Sequence, residues 1–346
     1  MRVLIYADPH WSKYSSIVRS RGKQFSTRLE ILIDVMNEIE ETAERENVEA
    51  VCCLGDFFDS ATLDAEEITA LNYVSWNYNV THLYLVGNHE MGRGDLSIHS
   101  SALFELVPYS VVYQNPTIRN WDGYNFLFLP YILESNRKPF VEYLDKSTDP
   151  YKSTDPYILL SHNDFAGIQM GQFISKEGFD VEEVSSNCII GFNGHLHNRG
   201  KIANNIYNVG NVTGQNFNED AFEYSHGCFI LDTDDVMHPK YIKFNSALNF
   251  VTFDFRKKFN PAVYSPFERT ACVVKCNQKD SKEVLEWVDN QKFIACRTLI
   301  ESNDKEQVEN KEVFVSDNYL DKFIEFVKTN VGYDCIIEEE LQVITK

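Results

Sequence analysis

The sequence predicts an α/β protein that begins with parallel βαβ units and ends in a small α+β domain. Two observations support this fold class. Short apolar runs alternate with a helical pattern over the N-terminal quarter of the chain, and polar residues follow each apolar run directly. A chain of 346 residues that is 43% hydrophobic can also bury a large core.

The first elements are three strands separated by two helices. The apolar runs predict strands at residues 3–7, 50–54 and 82–86. Ser26 or Thr27 can cap a helix, and a second helix is predicted over residues 65–78. Strands joined in this way are typical of a parallel sheet with helices on its faces. The apolar positions of the first helix are Leu29, Leu32, Ile33, Met36, Ile39 and Ala43.

After residue 110 the pattern is dominated by strands. They are predicted at residues 110–113, 125–129, 158–161, 188–192, 202–209, 227–232 and 241–244. From about residue 250 the order is strand, strand, helix, strand, strand, helix and strand. We therefore predict two domains, 1–248 and 249–346.

Charge and cysteine content restrict the function. The chain has 32 basic and 52 acidic residues, a net charge of −20, and residues 1–250 carry most of it, with 18 basic against 34 acidic residues. A protein that grips a DNA duplex alone usually has a basic face, so either the substrate is not a polyanion or metal ions and a partner supply positive charge. The longest basic run is Arg256-Lys257-Lys258.

The same composition indicates a cytoplasmic protein without a membrane segment. No apolar run reaches the length of about 18 residues that a membrane helix needs. Asp8 follows Met1 too soon for a signal peptide. The eight cysteines include no C-x-x-C pair, which favours buried, reduced thiols.

Five predicted strands are followed at once by side chains that can bind metal. Because the carboxyl ends of parallel strands meet at one edge, these side chains should lie together. Aspartate, asparagine and histidine suit Mn²⁺, Fe, Zn²⁺ or Ni²⁺, and seven ligands are enough for two ions. Each motif alone is common as a turn or a packed histidine, but all five occur in order. The motifs are Asp8-Pro9-His10, Gly55-Asp56-Phe57-Phe58-Asp59, Gly87-Asn88-His89-Glu90, Ser161-His162-Asn163-Asp164 and Gly194-His195-Leu196-His197.

This ordered set resembles the calcineurin-like metallophosphoesterase superfamily. The resemblance implies a four-layer α/β/β/α sandwich with two metal ions. It assigns the first ion to Asp8, His10, Asp56 and His197, and the second to Asn88, His162 and His195, with Asp56 bridging the two. It assigns catalysis to His89, which would protonate the leaving oxygen or steady the transition state. Asp59 would orient a ligand or His89.

Within the superfamily, the D-x-H spacing and the Phe57-Phe58 pair resemble the SbcD-type DNA repair nucleases, relatives of the meiotic-recombination-eleven nuclease. Gly210-Asn211, in place of the usual Gly-Ser, is followed by Phe217-Asn218-Glu219. This resemblance implies a DNA exonuclease and endonuclease of repair, recombination or replication. Its ions would be Mn²⁺, with Fe, Zn, Ni or Mg as alternatives. The implied partners are DNA, an SMC-like ATPase of the SbcC type and a second copy of the chain. The implied location is the cytoplasm or nucleoid, or the host cytoplasm for a viral protein.

Two other functions stay open. A metallophosphoesterase acting on nucleotides, small phosphodiesters or phosphoproteins would keep the site, and the acidic charge favours it. A non-catalytic scaffold of the same fold is disfavoured, since all seven ligand positions are intact. Residues 249–346 are less acidic, with 14 basic and 18 acidic residues, and we expect them to lie over the metal edge and select substrates.

Overall fold

A computed structural model of the chain describes residues 1–14, 16–17, 24–77, 79–92, 94–144, 157–170, 173–301 and 313–314. It divides into two compact units. The first unit contains residues 1–251 and 265–271, and the second contains residues 252–264 and 272–346.

The described residues form four α-helices and twenty strands. The helices are α1 (Thr27–Arg45), α2 (Ala65–Leu71), α3 (Val181–Asn187) and α4 (Ser281–Asp289). The first ten strands are β1 (Arg2–Tyr6), β2 (Ala50–Cys53), β3 (Thr81–Leu85), β4 (Met91–Gly92), β5 (Asp95–His99), β6 (Ser110–Tyr113), β7 (Thr117–Trp121), β8 (Tyr124–Leu129), β9 (Tyr157–Ser161) and β10 (Gln169–Met170). The others are β11 (Phe173–Ile174), β12 (Ile190–Asn193), β13 (Gly200–Ala203), β14 (Ile206–Asn208), β15 (Gly227–Asp232), β16 (Lys240–Lys243), β17 (Asn249–Asp254), β18 (Thr270–Asn277), β19 (Ala295–Glu301) and β20 (Val313–Phe314). Short 3₁₀ segments lie at Ser100–Leu106, Glu134–Asn136, Phe140–Tyr143, Thr233–Asp235 and Gln278–Asp280.

Two six-stranded sheets form the first unit. The order of the first sheet is β16-β15-β1-β2-β3-β6, and that of the second is β13-β14-β12-β9-β8-β7. The central strands β1, β2, β3 and β6 are parallel, as are β14, β12, β9 and β8. Antiparallel strands extend both sheets at their edges.

One hydrophobic core joins the facing sides of the two sheets. It contains Ile5 and Cys52 of the first sheet together with Phe126, Leu160 and Phe192 of the second, all with no solvent exposure. On the outer side of the second sheet, a second cluster includes Val184 of α3. Sheets packed face to face with helices outside confirm the predicted four-layer sandwich.

Helix α1 begins where the sequence predicted. The Ser26 side chain accepts a hydrogen bond from the Leu29 backbone N–H, which makes it the N-cap. Leu29, Leu32 and Ile39 are buried along one face.

Two sequence predictions of local structure were wrong. Helix α2 ends at Leu71 instead of Tyr78, and the Leu71 carbonyl accepts hydrogen bonds from the Val74 backbone N–H (3.2 Å) and from the Trp76 indole (3.3 Å). The single strand predicted over residues 202–209 is a hairpin of β13 and β14, which are antiparallel and meet at Asn204 and Asn205. The other predicted strands of the first unit agree with β1, β2, β3, β6, β8, β9, β12, β15 and β16 within two residues.

The second unit is α+β where it is described. A four-stranded sheet has the order β17-β18-β19-β20, with α4 between β18 and β19. Phe253 and Phe255 pack edge-on against Trp287 of α4. The last predicted helix and strand lie outside the described residues. The role predicted for this region stays a prediction.

The described residues contain no helix long and apolar enough to cross a membrane. The seven cysteines among them are buried and free.

Candidate metal centre

The carboxyl ends of both parallel sheets bring the predicted ligands together. Asp8 and His10 follow β1, Asp56 follows β2 and Asn88 follows β3 in the first sheet. In the second sheet, His162 follows β9, and His195 and His197 follow β12. Asp8 and His162 have no solvent exposure, and Asp56 is 1% exposed. The sequence-predicted ligands therefore surround one buried centre.

One group of candidate ligands consists of Asp8, His10 and His197. The Nε2 atoms of His10 and His197 lie 3.2 Å apart. The Asp8 carboxylate accepts the backbone N–H of His195 at 3.0 and 3.1 Å, which joins the first strand end to the loop after β12.

A second group consists of Asp56, His162 and His195. Nε2 of His162 lies 3.2 Å from Oδ2 of Asp56 and 3.1 Å from Oδ1 of Asn88. Nδ1 of His195 lies 2.9 Å from the same Asn88 oxygen. Asn88 therefore lies against both histidines of this group, and its role as a ligand stays a prediction.

Asp56 lies between the two groups. Its Oδ2 atom is 3.2 Å from His162 of the second group and 3.9 Å from Nε2 of His10 in the first. Its Oδ1 atom accepts the backbone N–H of His89 at 2.9 Å. Asp56 thus lies near a histidine of each group, and its bridging role stays a prediction.

His89 and Asp59 form the outer side of the centre. The His89 side chain is 42% exposed, and its Nδ1 lies 3.1 Å from the Asp59 carbonyl and 3.5 Å from the Asp59 carboxylate. The Asp59 carboxylate also contacts Nδ1 of His10 at 2.9 Å. Asp59 thus contacts both residues that it was predicted to orient. His10, Asp59 and His89 also form a third group close enough to hold an ion.

The hydrogen bonds of the histidines leave their lone pairs facing the centre. Nδ1 of His162 is 2.6 Å from the Leu54 carbonyl, so this nitrogen carries the proton and donates it. Nε2 of His195 donates in the same way to the Asp164 carboxylate at 2.9 Å. In a neutral ring, the opposite nitrogen then carries the lone pair, and in both histidines it lies toward the Asn88 oxygen.

This arrangement fits divalent cations. Two imidazole lone pairs and an amide oxygen do not attract one another at about 3 Å, so a cation or an additional proton must lie among them. The donors are nitrogen and oxygen atoms without a thiolate, as in sites for Mn²⁺, Fe or Zn²⁺.

The pKa values of His162, Asp56 and His89 show that positive charge is favoured around the Asp56 carboxylate, whereas burial lowers the pKa of His197 to about 3. Burial lowers the pKa of His162, but the Asp56 carboxylate opposes it and raises this pKa to about 9 overall. Burial would raise the pKa of Asp56, but the His162 ring outweighs it and lowers the pKa. The hydrogen bond to Asp59 raises the pKa of His89 to about 9. A divalent cation would compete with these protons for the same negative potential.

Gly87 has a steric role in the centre. A Cβ atom at this position would collide with Oδ1 of Asp56 and lie 2.5 Å from the Asp56 backbone nitrogen. Only glycine lets the loop after β3 lie against the loop after β2.

Three further residues lie around the centre: Glu90 and Asp164 were expected from the sequence only to cap helices or to hydrogen-bond loops, and Arg28 was not predicted. Glu90 accepts the backbone N–H groups of Phe57 (3.0 Å) and Gly87 (2.7 Å), so it ties two ligand loops together. Asp164 accepts from His195, as described above. Arg28 of α1, 3% exposed, donates to the Pro9 carbonyl at 2.9 Å. Glu90 and Asp164 belong to the strand-end motifs. Arg28 lies in α1, outside these motifs, so the sequence pattern did not mark it.

The comparisons with known proteins identify the class. The calcineurin-like phosphoesterase family model matches residues 1–199. The chain therefore belongs to the calcineurin-like phosphoesterase family, whose members bind divalent metal ions and hydrolyse phosphoesters. No match was found among curated proteins.

Several solved structures resemble the chain weakly. An archaeal phosphodiesterase is 15% identical, with 70% of this chain and 100% of that chain covered and a TM-score of 0.35. A dimetal phosphatase from Danio rerio is 12% identical, with coverages of 66% and 91% and a TM-score of 0.40. A NAD nucleotidase from Haemophilus influenzae is 13% identical, with coverages of 95% and 60% and a TM-score of 0.33. Membership of the family rests on the family model alone.

Proposed function

We propose that the chain is a two-metal phosphoesterase that hydrolyses small phosphodiesters or nucleotides. The observation that carries this proposal is the Asp56 carboxylate, placed 3.2 Å from His162 on one side and 3.9 Å from His10 on the other. A carboxylate between two ligand groups is the arrangement that two-metal hydrolysis needs.

The residues have separate tasks in this proposal. Asp8, His10 and His197 would hold one ion, Asn88, His162 and His195 would hold the other, and Asp56 would contribute to both. Ions bound there withdraw electron density from a phosphate and acidify water.

His89 supplies the proton for the leaving oxygen in this mechanism. Its ring is half exposed, and Asp59 holds its Nδ1 side, so its other edge is available to a substrate. Asp59 fixes the orientation of His10 and His89 together.

Charge favours a small substrate over DNA. Two cations near the loops of the centre in the described part of the chain, Arg28 and Arg137, are occupied by contacts inside the protein. Arg28 donates to backbone carbonyls, and Arg137 donates to the Ile132 carbonyl and pairs with Glu134. Little of their charge is available to a polyanion.

The basic run of the second unit is also neutralised in part. The guanidinium of Arg256 bonds Asp254 at 2.8 Å and Glu301 at 2.7 Å. Arg256 of the basic run is therefore paired with carboxylates of its own unit, which leaves less of its charge for DNA.

DNA cleavage is the second candidate. It is supported by the SbcD-like motif, whose Asn211 amide lies 3.4 Å from Oε1 of Glu219. This candidate function includes Mn²⁺ as the metal ion. Its partners would be an SbcC-type ATPase and a second copy of the chain.

An assay with Mn²⁺ tests both candidates. The substrates are bis-p-nitrophenyl phosphate, p-nitrophenyl phosphate, a single-stranded oligonucleotide and a phosphopeptide, with EDTA as a control. We expect hydrolysis of a p-nitrophenyl ester, its loss in EDTA, and slow cleavage of the oligonucleotide. Oligonucleotide cleavage as the fastest reaction would favour the nuclease, and activity retained in EDTA would refute a metal-dependent mechanism.

A further inference from the structure

A cavity of about 500 Å³ is lined in part by Tyr131 and Ile132, which follow β8. Its volume lies in the range of small-molecule sites, about 300–1,000 Å³. The residues that line it include Leu96, Gln114, Asn115, Tyr131, Ile132 and Asn136.

Tyr131 connects the cavity to the metal centre. Its ring centroid lies 5.7 Å from that of His195 and 6.4 Å from that of His162, and the same residue lines the cavity. A substrate whose phosphate reaches these histidines can therefore place its next group against Tyr131.

The wall of the cavity is fixed to the ligand loops. The Tyr131 backbone N–H donates to the Val86 carbonyl at 3.0 Å, two residues before Asn88. The next backbone N–H, of Ile132, donates to Oδ1 of Asn163 at 2.9 Å, beside His162. The distance between cavity and centre is thus held by hydrogen bonds, as a preorganised subsite requires.

The lining combines an aromatic ring with side-chain amides. Gln114, Asn115 and Asn136 each carry both a donor and an acceptor, and none of the described lining residues is charged. Nδ1 of His99 has no hydrogen-bond partner, so the ring proton is on Nε2. Nε2 donates it to the side-chain carbonyl oxygen of Gln114 at 3.2 Å, which directs the NH₂ group of Gln114 away from His99. Amides match the edges of a nucleobase, and an aromatic ring matches its face.

We propose that this cavity binds the nucleobase of a nucleotide phosphoester, with Tyr131 against the base and the amides at its edge. The inference rests on the proposed function, since it places the phosphate at the metal centre. A lining without charged side chains is unsuited to further phosphates of a nucleic acid backbone, so the substrate has one nucleoside at this position.

Two substrates that release the same product test the inference. The p-nitrophenyl ester of thymidine 5′-monophosphate carries a base, and bis-p-nitrophenyl phosphate does not. We expect Tyr131→Ala to reduce the ratio of their kcat/KM values, thymidine ester over bis ester, about 10-fold or more, chiefly through KM. Tyr131→Phe, which keeps the ring, should retain the ratio. Tyr109→Ala, which removes an exposed tyrosine outside the cavity lining, should also retain it.

Equilibrium binding separates this inference from the proposed function. Thymidine 5′-monophosphate and 2-deoxyribose 5-phosphate differ only in the base, and calorimetry gives their Kd values in Mn²⁺. We expect the nucleotide to bind about 10-fold more tightly or better, and Tyr131→Ala to remove the difference. If the wild-type protein hydrolyses neither ester but still binds the nucleotide more tightly than the sugar phosphate, the proposed activity is refuted and the base-binding subsite is supported. Equal Kd values for the two ligands, or a nucleotide Kd unchanged in Tyr131→Ala, would overturn the subsite.

Discussion

Replacing Arg28 tests whether α1 holds the first ligand loop in place. The guanidinium donates to the Pro9 carbonyl at 2.9 Å and to the Gly214 carbonyl at 2.7 Å. Pro9 lies between Asp8 and His10, so this contact fixes the loop that carries two predicted ligands. Methionine at position 28 would fill a similar volume and provide no donor.

The expected cost follows from the two carbonyls. Each buried acceptor left without a donor costs about 1–3 kcal/mol, so Arg28→Met should lower the free energy of unfolding by about 2–6 kcal/mol. Buried Glu219 would also lose a favourable charge, since Arg28 opposes the burial that raises the pKa of Glu219 to about 7. Arg28→Lys keeps the charge and can make one of the two bonds, so its effect should be about half as large.

Urea unfolding and Mn²⁺ titration measure the two consequences. Loosening of the Pro9 loop should weaken Mn²⁺ binding about 10- to 100-fold, as loss of an outer ligand contact does. The control is Arg45→Met, an exposed arginine in the last turn of the same helix, which should change stability by less than about 0.5 kcal/mol. An Arg28→Met protein with the stability and Mn²⁺ affinity of the wild type would refute the reasoning.

The remaining predictions concern the centre and one distant carboxyl. Asp56→Ala should lose both ions, measured as metal per chain, and two retained ions would contradict its bridging position. His89→Ala should keep both ions and lose kcat by about 10²- to 10⁴-fold, whereas metal loss would make it a ligand. Burial raises the pKa of Glu40 from 4.5 to about 7, so the folded state binds this proton more tightly and stability falls as the pH rises between these values. Glu40→Gln should therefore raise the free energy of unfolding by up to about 3 kcal/mol at pH 8 and leave it unchanged at about pH 4. The control Glu41→Gln, at an exposed position, should change the free energy of unfolding at neither pH. A Glu40→Gln protein that is less stable than the wild type at pH 8 would instead show that Glu40 is paired with a charged His82.

The positions of the ligands could be predicted because they depend on strand direction alone. Asp8, Asp56 and Asn88 follow consecutive parallel strands, so sheet geometry brings them together. The contacts of Arg28 depend on how α1 packs, which no local pattern records. The local pattern also did not record the contact that the Trp76 indole makes with the last residue of α2, Leu71.

The backbone angles at the centre indicate that these residue types are present for their side-chain donor atoms, since they do not favour the local backbone conformation. Asp8, His10, Asp56 and His195 have φ angles between 47° and 73°, and they are four of the seven non-glycine residues with positive φ in the described part of the chain. This conformation costs about 1–2 kcal/mol for a residue with a Cβ atom, and glycine would adopt it at no such cost. Backbone hydrogen bonds hold the strained turns, for example from His10 N–H to the Asp56 carbonyl at 3.0 Å. The donor atoms of these strained residues converge on one place. A bound metal ion that uses those atoms explains why the strain is retained. The strain thus supports the metal centre independently of the motif and of the distances between the side chains.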